Sequence, residues 1–258
     1  MPDDRRHATS WGGPDQVGRY EAGRPGYPAE VGALIADVLD LRAGRRVVDL
    51  AAGTGKLTRV LMGSGAAVVA AEPIAAMRRE LSARVVGVPV VAGVAEALPF
   101  ADGALHAVTV AQAVHWFGWP AAAVELRRVL APGGGLAVVT NGRDPAWAAT
   151  DALNAVLERY EAEGPRPESV RAWRDGFDAS HVFTAVTDAA VPHEQRFADR
   201  EAFAARFASV SFAILLPDDL RARMVDDLWE AVAASGVDPL VMPLLARVEI
   251  FRCRPAGA

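Results

Sequence analysis

The chain has 258 residues and a mass of 27.2 kDa, enough to bury a full core in one or two domains. Its 32 acidic and 27 basic residues leave a net charge of -5, which offers no basic footprint for nucleic acid or an anionic membrane. A lone cysteine, Cys253, excludes an internal disulfide and a cysteine-built metal site, and no stretch approaches the roughly 20 apolar residues that span a bilayer.

The opening Met1-Pro2-Asp3-Asp4-Arg5-Arg6 is polar and reads as no secretory signal, so a cytoplasmic protein is expected. Residues 1–27 are polar and rich in Gly and Pro, with aromatics at Trp11, Tyr20 and Tyr27. They read either as a flexible leader or as a lid over a site. Val31, Leu34, Ile35, Val38 and Leu39 place one apolar face on a helix over 28–41, with Pro28 in its first turn and Gly44 as the stop.

A repeating pattern follows. Apolar strands are expected at 47–50, 68–71, 88–91, 108–110 and 136–139, the third near an edge because of Pro89. Helices are expected around Leu57, Val60 and Leu61, over 74–84, and through Leu126, Val129 and Leu130 to a stop at Pro132-Gly133-Gly134-Gly135. Short, continuously apolar strands alternating with helices imply a doubly wound α/β fold, its mostly parallel sheet covered on both faces. Beyond residue 145 the pattern loosens. A helix over 146–162, a break at 164–167, a strand over 182–192, helices over 198–235 and a strand over 246–253 are expected, with Pro217 as the first residue of one helix. The whole reads as one α/β domain over 28–258 with a helical cap insertion at about 193–240; the alternative is a separate C-terminal domain.

Asp49-Leu50-Ala51-Ala52-Gly53-Thr54-Gly55-Lys56 forms a small-residue turn between the first strand and its helix. Such a turn lets a ligand approach the backbone, and the helix points its free N–H groups at the same place. A phosphate-binding loop fails, because Leu57 follows Gly55-Lys56 and Leu50 stands where the first glycine belongs. A dinucleotide fingerprint has Gly53 and Gly55 but Thr58 in its third glycine position. Asp49 sits in an apolar strand, so its carboxylate needs partners, expected to be the turn's N–H groups or a cationic ligand. Glu72 follows the second strand about 20 residues after the turn, where a carboxylate accepts from both ribose hydroxyls.

The sequence resembles the class I S-adenosylmethionine-dependent methyltransferases, in particular the small-molecule type 11 group that includes the trans-aconitate methyltransferases. The resemblance lies in Val48-Asp49-Leu50-Ala51-Ala52-Gly53-Thr54-Gly55, Ala71-Glu72-Pro73, Gly93-Val94-Ala95-Glu96-Ala97-Leu98-Pro99-Phe100 and Gln112-Ala113-Val114-His115-Trp116-Phe117. The helix ending in Leu130-Ala131-Pro132-Gly133-Gly134 and the leader Tyr20-Glu21-Ala22-Gly23-Arg24-Pro25-Gly26-Tyr27-Pro28 also match. The resemblance implies a Rossmann-like sheet and S-adenosylmethionine as cofactor. It implies that Asp49 and the backbone of 51–55, Ala51, Gly53 and Gly55 among them, hold the amino-acid part of the cofactor. Glu72 would bind the ribose, Pro73 and Met77 would border the adenine, and Ala95 and Glu96 would reach its edge. Gln112 would lie beside the cofactor, and Tyr20 and Arg24 would close over its carboxylate. Two positions depart from the family pattern: Ala51 stands where a glycine is usual, and Val94 where an aspartate often binds the adenine amino group.

Methyl transfer from a sulfonium needs chiefly binding and alignment. His115 is the candidate base for an acceptor that must lose a proton, the alternative being a residue that orients the acceptor or only packs. Tyr27, Trp116 and Phe117 are candidates to wall an apolar acceptor pocket. The other histidines read as structural or surface residues. The expected partner is a small-molecule acceptor bound by a monomer or homodimer, without nucleic acid, membrane or metal. Two other functions fit less of the sequence: a nicotinamide-dependent oxidoreductase, and an S-adenosylmethionine-binding protein without catalysis.

Overall fold

A computed structural model of the protein describes residues 14–163, 169–210 and 212–255. The strands are β1 (Arg46–Leu50), β2 (Ala67–Ala71), β3 (Val90–Val91), β4 (Leu105–Ala111), β5 (Leu130–Arg143), β6 (Phe183–Arg196) and β7 (Val241–Cys253). They form one sheet in the order β3-β2-β1-β4-β5-β7-β6. The first five pair in parallel, and β7 runs antiparallel to both of its neighbours. The doubly wound, mostly parallel sheet is thus the fold of the chain, and β3 lies at its edge.

The helices are α1 (Pro14–Gly23), α2 (Ala29–Leu39), α3 (Lys56–Leu61), α4 (Ala75–Arg84), α5 (Ala121–Val129), α6 (Thr150–Glu163), α7 (Ser169–Ala179), α8 (Arg200–Ala208) and α9 (Asp218–Ala234). Alternate strand residues face opposite ways, so consecutive valines serve two cores. Val47, Ala107, Ala137 and Val248 pack with Val31, Ile35 and Leu39 of α2 and with Leu57 and Leu61 of α3. Val48, Val108, Leu136 and Val138 pack with Leu126 and Val129 of α5 and with Phe177 of α7. Each buried Val, Leu or Ile side chain of these clusters contributes about 1.5–3 kcal/mol.

Several boundaries differ from the sequence-based expectation. Pro28 and Pro217 do not begin their helices; each is the extended N-cap residue ahead of α2 and α9. α2 ends at Leu39 rather than near Gly44, because Asp40 turns left-handed at φ 53 and its carboxylate is held by Arg42 and Arg45. α5 ends at Val129, and 132–135 belongs to β5. The strand passes there because its glycines leave room: a Cβ on Gly135 would lie 2.5 Å from the Phe251 carbonyl oxygen. β6 runs to Arg196 instead of 192, because its ladder with β7 continues to the pair Arg196 and Val241. Neither α1 nor α7 is expected from periodicity. α1 is polar on average and is held by what it packs against, whereas α7 turns Trp173 and Phe177 toward the α5 face of the sheet.

The insertion between β6 and β7 contains α8, a 3-10 turn at Ala213–Leu215 and α9. Its apolar cluster joins Phe203, Phe207, Met224 and Leu228 to Leu153 and Tyr160 of α6 and to Met242 and Leu244 of β7. The cap is therefore rooted in the sheet and stands over the ends of β5, β6 and β7 that bear Arg143, His193 and Leu244. Among the described residues no helix is long and apolar enough to cross a membrane.

Candidate active site

The strand order reverses between β1 and β4, the place where doubly wound sheets bind ligands at the carboxyl ends of their strands. The turn after β1 is tightly coiled, with left-handed backbone at Ala51 (φ 54), Gly53 (φ 57) and Gly55 (φ 85). Gly55 is the N-cap of α3 and is buried. A Cβ there would lie 2.7 Å from Val85 Cγ2, so this glycine serves packing as well as the turn.

Asp49 finds its partners within the protein, among them the backbone N–H of Thr58 at the start of α3. It is fully buried, and its two carboxylate oxygens accept from Thr58 Oγ1 at 2.5 Å and Thr109 Oγ1 at 3.0 Å. No surface is left for direct contact with a ligand. Burial pushes its carboxyl up to about 6, against the pull of the two threonine hydroxyls. Thr58 thus has a definite task where a dinucleotide fold has its third glycine. Thr109 is the register partner of Asp49 on β4, a contact between residues 60 apart in the chain.

Glu72 leaves β2 and bends back to the turn. Its Oε2 accepts from Gly53 N at 2.9 Å and its Oε1 from Ile74 N at 2.8 Å. Burial raises its pKa despite these bonds. Arg78 secures the same corner by donating to the carbonyls of Glu72 at 2.8 Å and Pro73 at 2.7 Å. Met77 is buried, and Pro73 is exposed. Ala95 is buried and Val94 exposed, while the Glu96 carboxylate accepts from Gly118 N at 2.5 Å. Glu96 therefore ties its loop to the segment after β4.

One cleft gathers many of these parts. It is lined by Ala51, Ala52, Gly53 and Thr54 of the turn, Lys56 and Leu57 of α3, Ala111, Gln112 and Asn141 of the sheet, Arg24, Pro25 and Tyr27 of the N-terminal segment, and Arg206 of α8. It encloses about 500 Å³ including its open mouth. A Cβ on Gly53 would meet nothing within 4 Å, so the turn faces open space. The segment of 23–27 is held at several points. Arg24 Nη2 donates to the Ser209 carbonyl at 2.6 Å, Gln195 Nε2 to Gly23 O at 3.0 Å, and Asn141 Nδ2 to Gly26 O at 3.1 Å. Gly23 comes so near α8 that a Cβ would lie 2.7 Å from the Ala205 carbonyl oxygen. The end of the leader is thus packed between the sheet and α8; residues 1–13, including His7 and Trp11, and the side chain of Tyr20 lie outside the described residues.

Gln112 has left-handed backbone (φ 57), and its Nε2 donates to Asn141 O at 3.0 Å. Asn141 Oδ1 also lies 2.9 Å from His193 Nε2. Asn141, His193, Gln195 and Arg206 are absent from the sequence-based site, since no motif marks them and only the β5-β7-β6 order and the cap bring them here. His106 is structural, accepting from Arg46 N at 3.0 Å.

His115, Trp116 and Phe117 do not line this cleft. They sit on and after the 3-10 turn Val114–Trp116, half-buried, with Trp116 and Phe117 packed against the α5-side core. The His115 ring lies 4.9 Å from that of Trp116, and burial pushes its pKa down to about 4. It is neutral at physiological pH and a weaker base than a free imidazole.

The geometry agrees with kinship. A family model described as a methyltransferase domain matches residues 48–138. An uncharacterized methyltransferase of Mycobacterium tuberculosis is 38% identical over 217 residues, covering 84% of this chain and 84% of its own. The chain belongs to the class I S-adenosylmethionine-dependent methyltransferases. A demethylmenaquinone methyltransferase of Beutenbergia cavernae is 37% identical over 153 residues, 54% of this methyltransferase and 63% of its own length. A solved structure described as a type II methyltransferase from Anaeromyxobacter dehalogenans shares the fold, with a TM-score of 0.66 at 24% identity over 90% of this chain and 97% of its own. Membership implies use of S-adenosylmethionine. The residues fit that cofactor: the turn leaves open space at Gly53, and each Glu72 oxygen keeps acceptor capacity beyond its one N–H partner.

Proposed function

We propose that this methyltransferase acts on a small-molecule acceptor held in the cleft between lid and cap, in the cytoplasm. The lining of the cleft carries this reading. Turn, N-terminal segment and cap all contribute lining residues to it, so cofactor turn and acceptor side share one pocket, not a long groove suited to a polymer. The single cysteine suits a reducing compartment.

Bound S-adenosylmethionine supplies a methyl group already activated on a sulfonium. The protein binds, aligns and excludes water. In this reading the backbone of 51–54 holds the amino-acid portion and Glu72 takes the ribose hydroxyls. Pro73, Met77, Ala95 and Glu96 border the adenine, and Gln112 lies beside the cofactor. Arg24 and Tyr20 close over its carboxylate. Asp49 acts from beneath, fixing Thr58 and hence the start of α3. Gly55 shapes the turn. Tyr27 walls the acceptor side of the cleft, whereas Trp116 and Phe117 bound it from the α5 side of the sheet, outside the cleft lining, where His115 receives a proton if the acceptor must lose one.

Calorimetric titration with S-adenosylmethionine and with NAD tests the cofactor half. S-adenosylmethionine should bind and NAD should not, and Glu72→Ala should weaken binding by more than about 1 kcal/mol, the size of a lost hydrogen bond to a charged group. An unchanged affinity would remove the ribose assignment. A screen of cell extract with methyl-labelled cofactor tests the acceptor half. Label confined to the macromolecular fraction would overturn the small-molecule reading.

A further inference from the structure

Asn141 stands out on β5. Ala137 and Val139, on the same face of the strand, are buried aliphatics of the core beside α2. Asparagine is a poor strand former, yet here it lines the cleft and both ends of its amide are engaged. Its Nδ2 donates to Gly26 O at 3.1 Å, and its Oδ1 lies 2.9 Å from His193 Nε2. Its main-chain oxygen accepts from Gln112, another residue of the cleft wall. One asparagine thus joins the N-terminal segment, the residue after β4 and strand β6.

The sheet sets how far His193 must reach. β7 lies between β5 and β6, which puts their backbones about 10 Å apart. The imidazole closes this gap beside Ala246, the register partner of Asn141 on the same face, whose side chain is a single methyl. The partners also fix the proton. Gly26 O can only accept, so the Asn141 nitrogen must face it and the amide oxygen must face His193. That oxygen has no hydrogen to give, so His193 carries a proton on Nε2. Burial lowers the pKa of the ring below its ordinary 6.5, which favours the neutral form at pH 7. Two residues further along β6 and on the same face, Gln195 Nε2 donates to Gly23 O at 3.0 Å. β6 therefore braces the segment 23–26 twice, although the strand lies outside the matched domain of 48–138.

We propose that His193 is a positioning residue of this methyltransferase: its Nε2–H orients the Asn141 amide, and Asn141 holds Gly26 so that Pro25 and Tyr27 stand in the wall of the cleft. His193 is not among the lining residues and acts through Asn141. Without that donor the half-buried amide oxygen turns toward water, and the bond to Gly26 is lost with it. The inference rests on the methyl-transfer reading of the same cleft and adds a residue that shapes it.

The test begins with the unaltered full chain. Nitrogen–proton NMR of the imidazoles should show His193 neutral with its proton on Nε2; a neutral ring protonated on Nδ1 would overturn the inference before any variant is made. In His193→Leu, amide exchange over 23–27 should quicken, and calorimetric affinity for S-adenosylhomocysteine should fall about threefold or more, as loss of one hydrogen bond would. His193→Gln, whose amide nitrogen can stand where Nε2 does, should restore both. Asn141→Ala should lose at least as much, and adding His193→Leu to it should cost nothing further, because the two residues act in series. Unchanged exchange and affinity in His193→Leu would overturn the inference. Equal losses in the Leu and Gln variants would do so too, leaving His193 a packing residue, and additive losses would show that it does not act through Asn141. Failure of the unaltered protein to bind S-adenosylhomocysteine would instead defeat the cofactor reading, while the proton position and the exchange of 23–27 would still decide the case of His193.

Discussion

Lys56 reaches from the first turn of α3 to Glu21 on α1, its Nζ donating to the Glu21 main-chain oxygen at 3.0 Å and standing 3.2 Å from the carboxylate. It is the sole lysine of the chain. Thr54 Oγ1 donates to the same carboxylate, and Arg59 lies 3.2 Å from its other oxygen. The N-terminal helix is thus fastened directly to the turn after β1. Burial alone would raise the Glu21 carboxyl, but Thr54, Lys56 and Arg59 together hold it below its usual value. The folded-state pKa is depressed, so the tie holds at neutral pH and is lost as pH falls through that value.

Lys56→Met should leave the Glu21 carboxylate partly buried with only Arg59 and the Thr54 hydroxyl beside it among the described residues. Cofactor affinity should fall by about 1–2 kcal/mol, within the range for a hydrogen bond to a charged group. Amide exchange over 14–23 should quicken, because the helix loses its fastening. Unaltered protection of α1 would show that the packing at Gly23 holds the helix unaided.

Ala51 takes left-handed backbone (φ 54), a conformation that favours glycine. A left-handed alanine costs about 1–2 kcal/mol, and glycine gives back about 0.5–1 kcal/mol through its greater freedom when unfolded. Ala51→Gly should therefore raise the free energy of unfolding by up to about 1 kcal/mol, with no loss of cofactor affinity. Urea unfolding reads it. A loss of stability would mean that the Ala51 methyl, which packs against the α5-side core, outweighs the backbone strain.

Asp49 predicts a pH dependence of stability. Its folded pKa of about 6 lies above the ordinary 3.8, so the folded protein holds the proton more tightly. This contribution is fully present below the unfolded value and is lost as pH rises through about 6. Asp49→Asn removes the titration. The variant should gain on the unaltered protein between pH 4 and 7 by a few kcal/mol at most, since each tenfold change in proton affinity is worth about 1.4 kcal/mol. Parallel stability curves over that window would contradict the burial of an ionisable Asp49.

His115→Ala should cut turnover far more than cofactor affinity. The acid limb of the unaltered enzyme should fall near pH 4, where burial sets the imidazole, not near 6.5. Undiminished turnover would reduce His115 to a packing partner of Trp116. The same depressed pKa makes stability fall on acidification from 6.5 toward 4, as the unfolded chain takes up the proton first.

Local sequence carried the parallel sheet, the glycine turn and Glu72. Runs such as Val47-Val48 and Ala70-Ala71 are buried on both sides, and a covered parallel sheet accepts that pattern. Strained turns announce themselves by small residues, and Glu72 follows its strand at a recognisable interval. Contacts made across strands or through the cap were not legible. The hydroxyl partners of Asp49, Thr58 and Thr109, depend on the start of a helix and on strand register. α1 has too little apolar surface to declare itself, and it is ordered by Lys56 and by the closeness of Gly23 to α8. Asn141, His193 and Arg206 share one neighbourhood only because β7 returns antiparallel between β5 and β6 and carries the cap with it. Periodicity and spacing report what a segment must bury by itself. Which distant polar groups then face one another is decided by chain topology, since a carboxylate or guanidinium removed from water must find its partner wherever the fold has brought one.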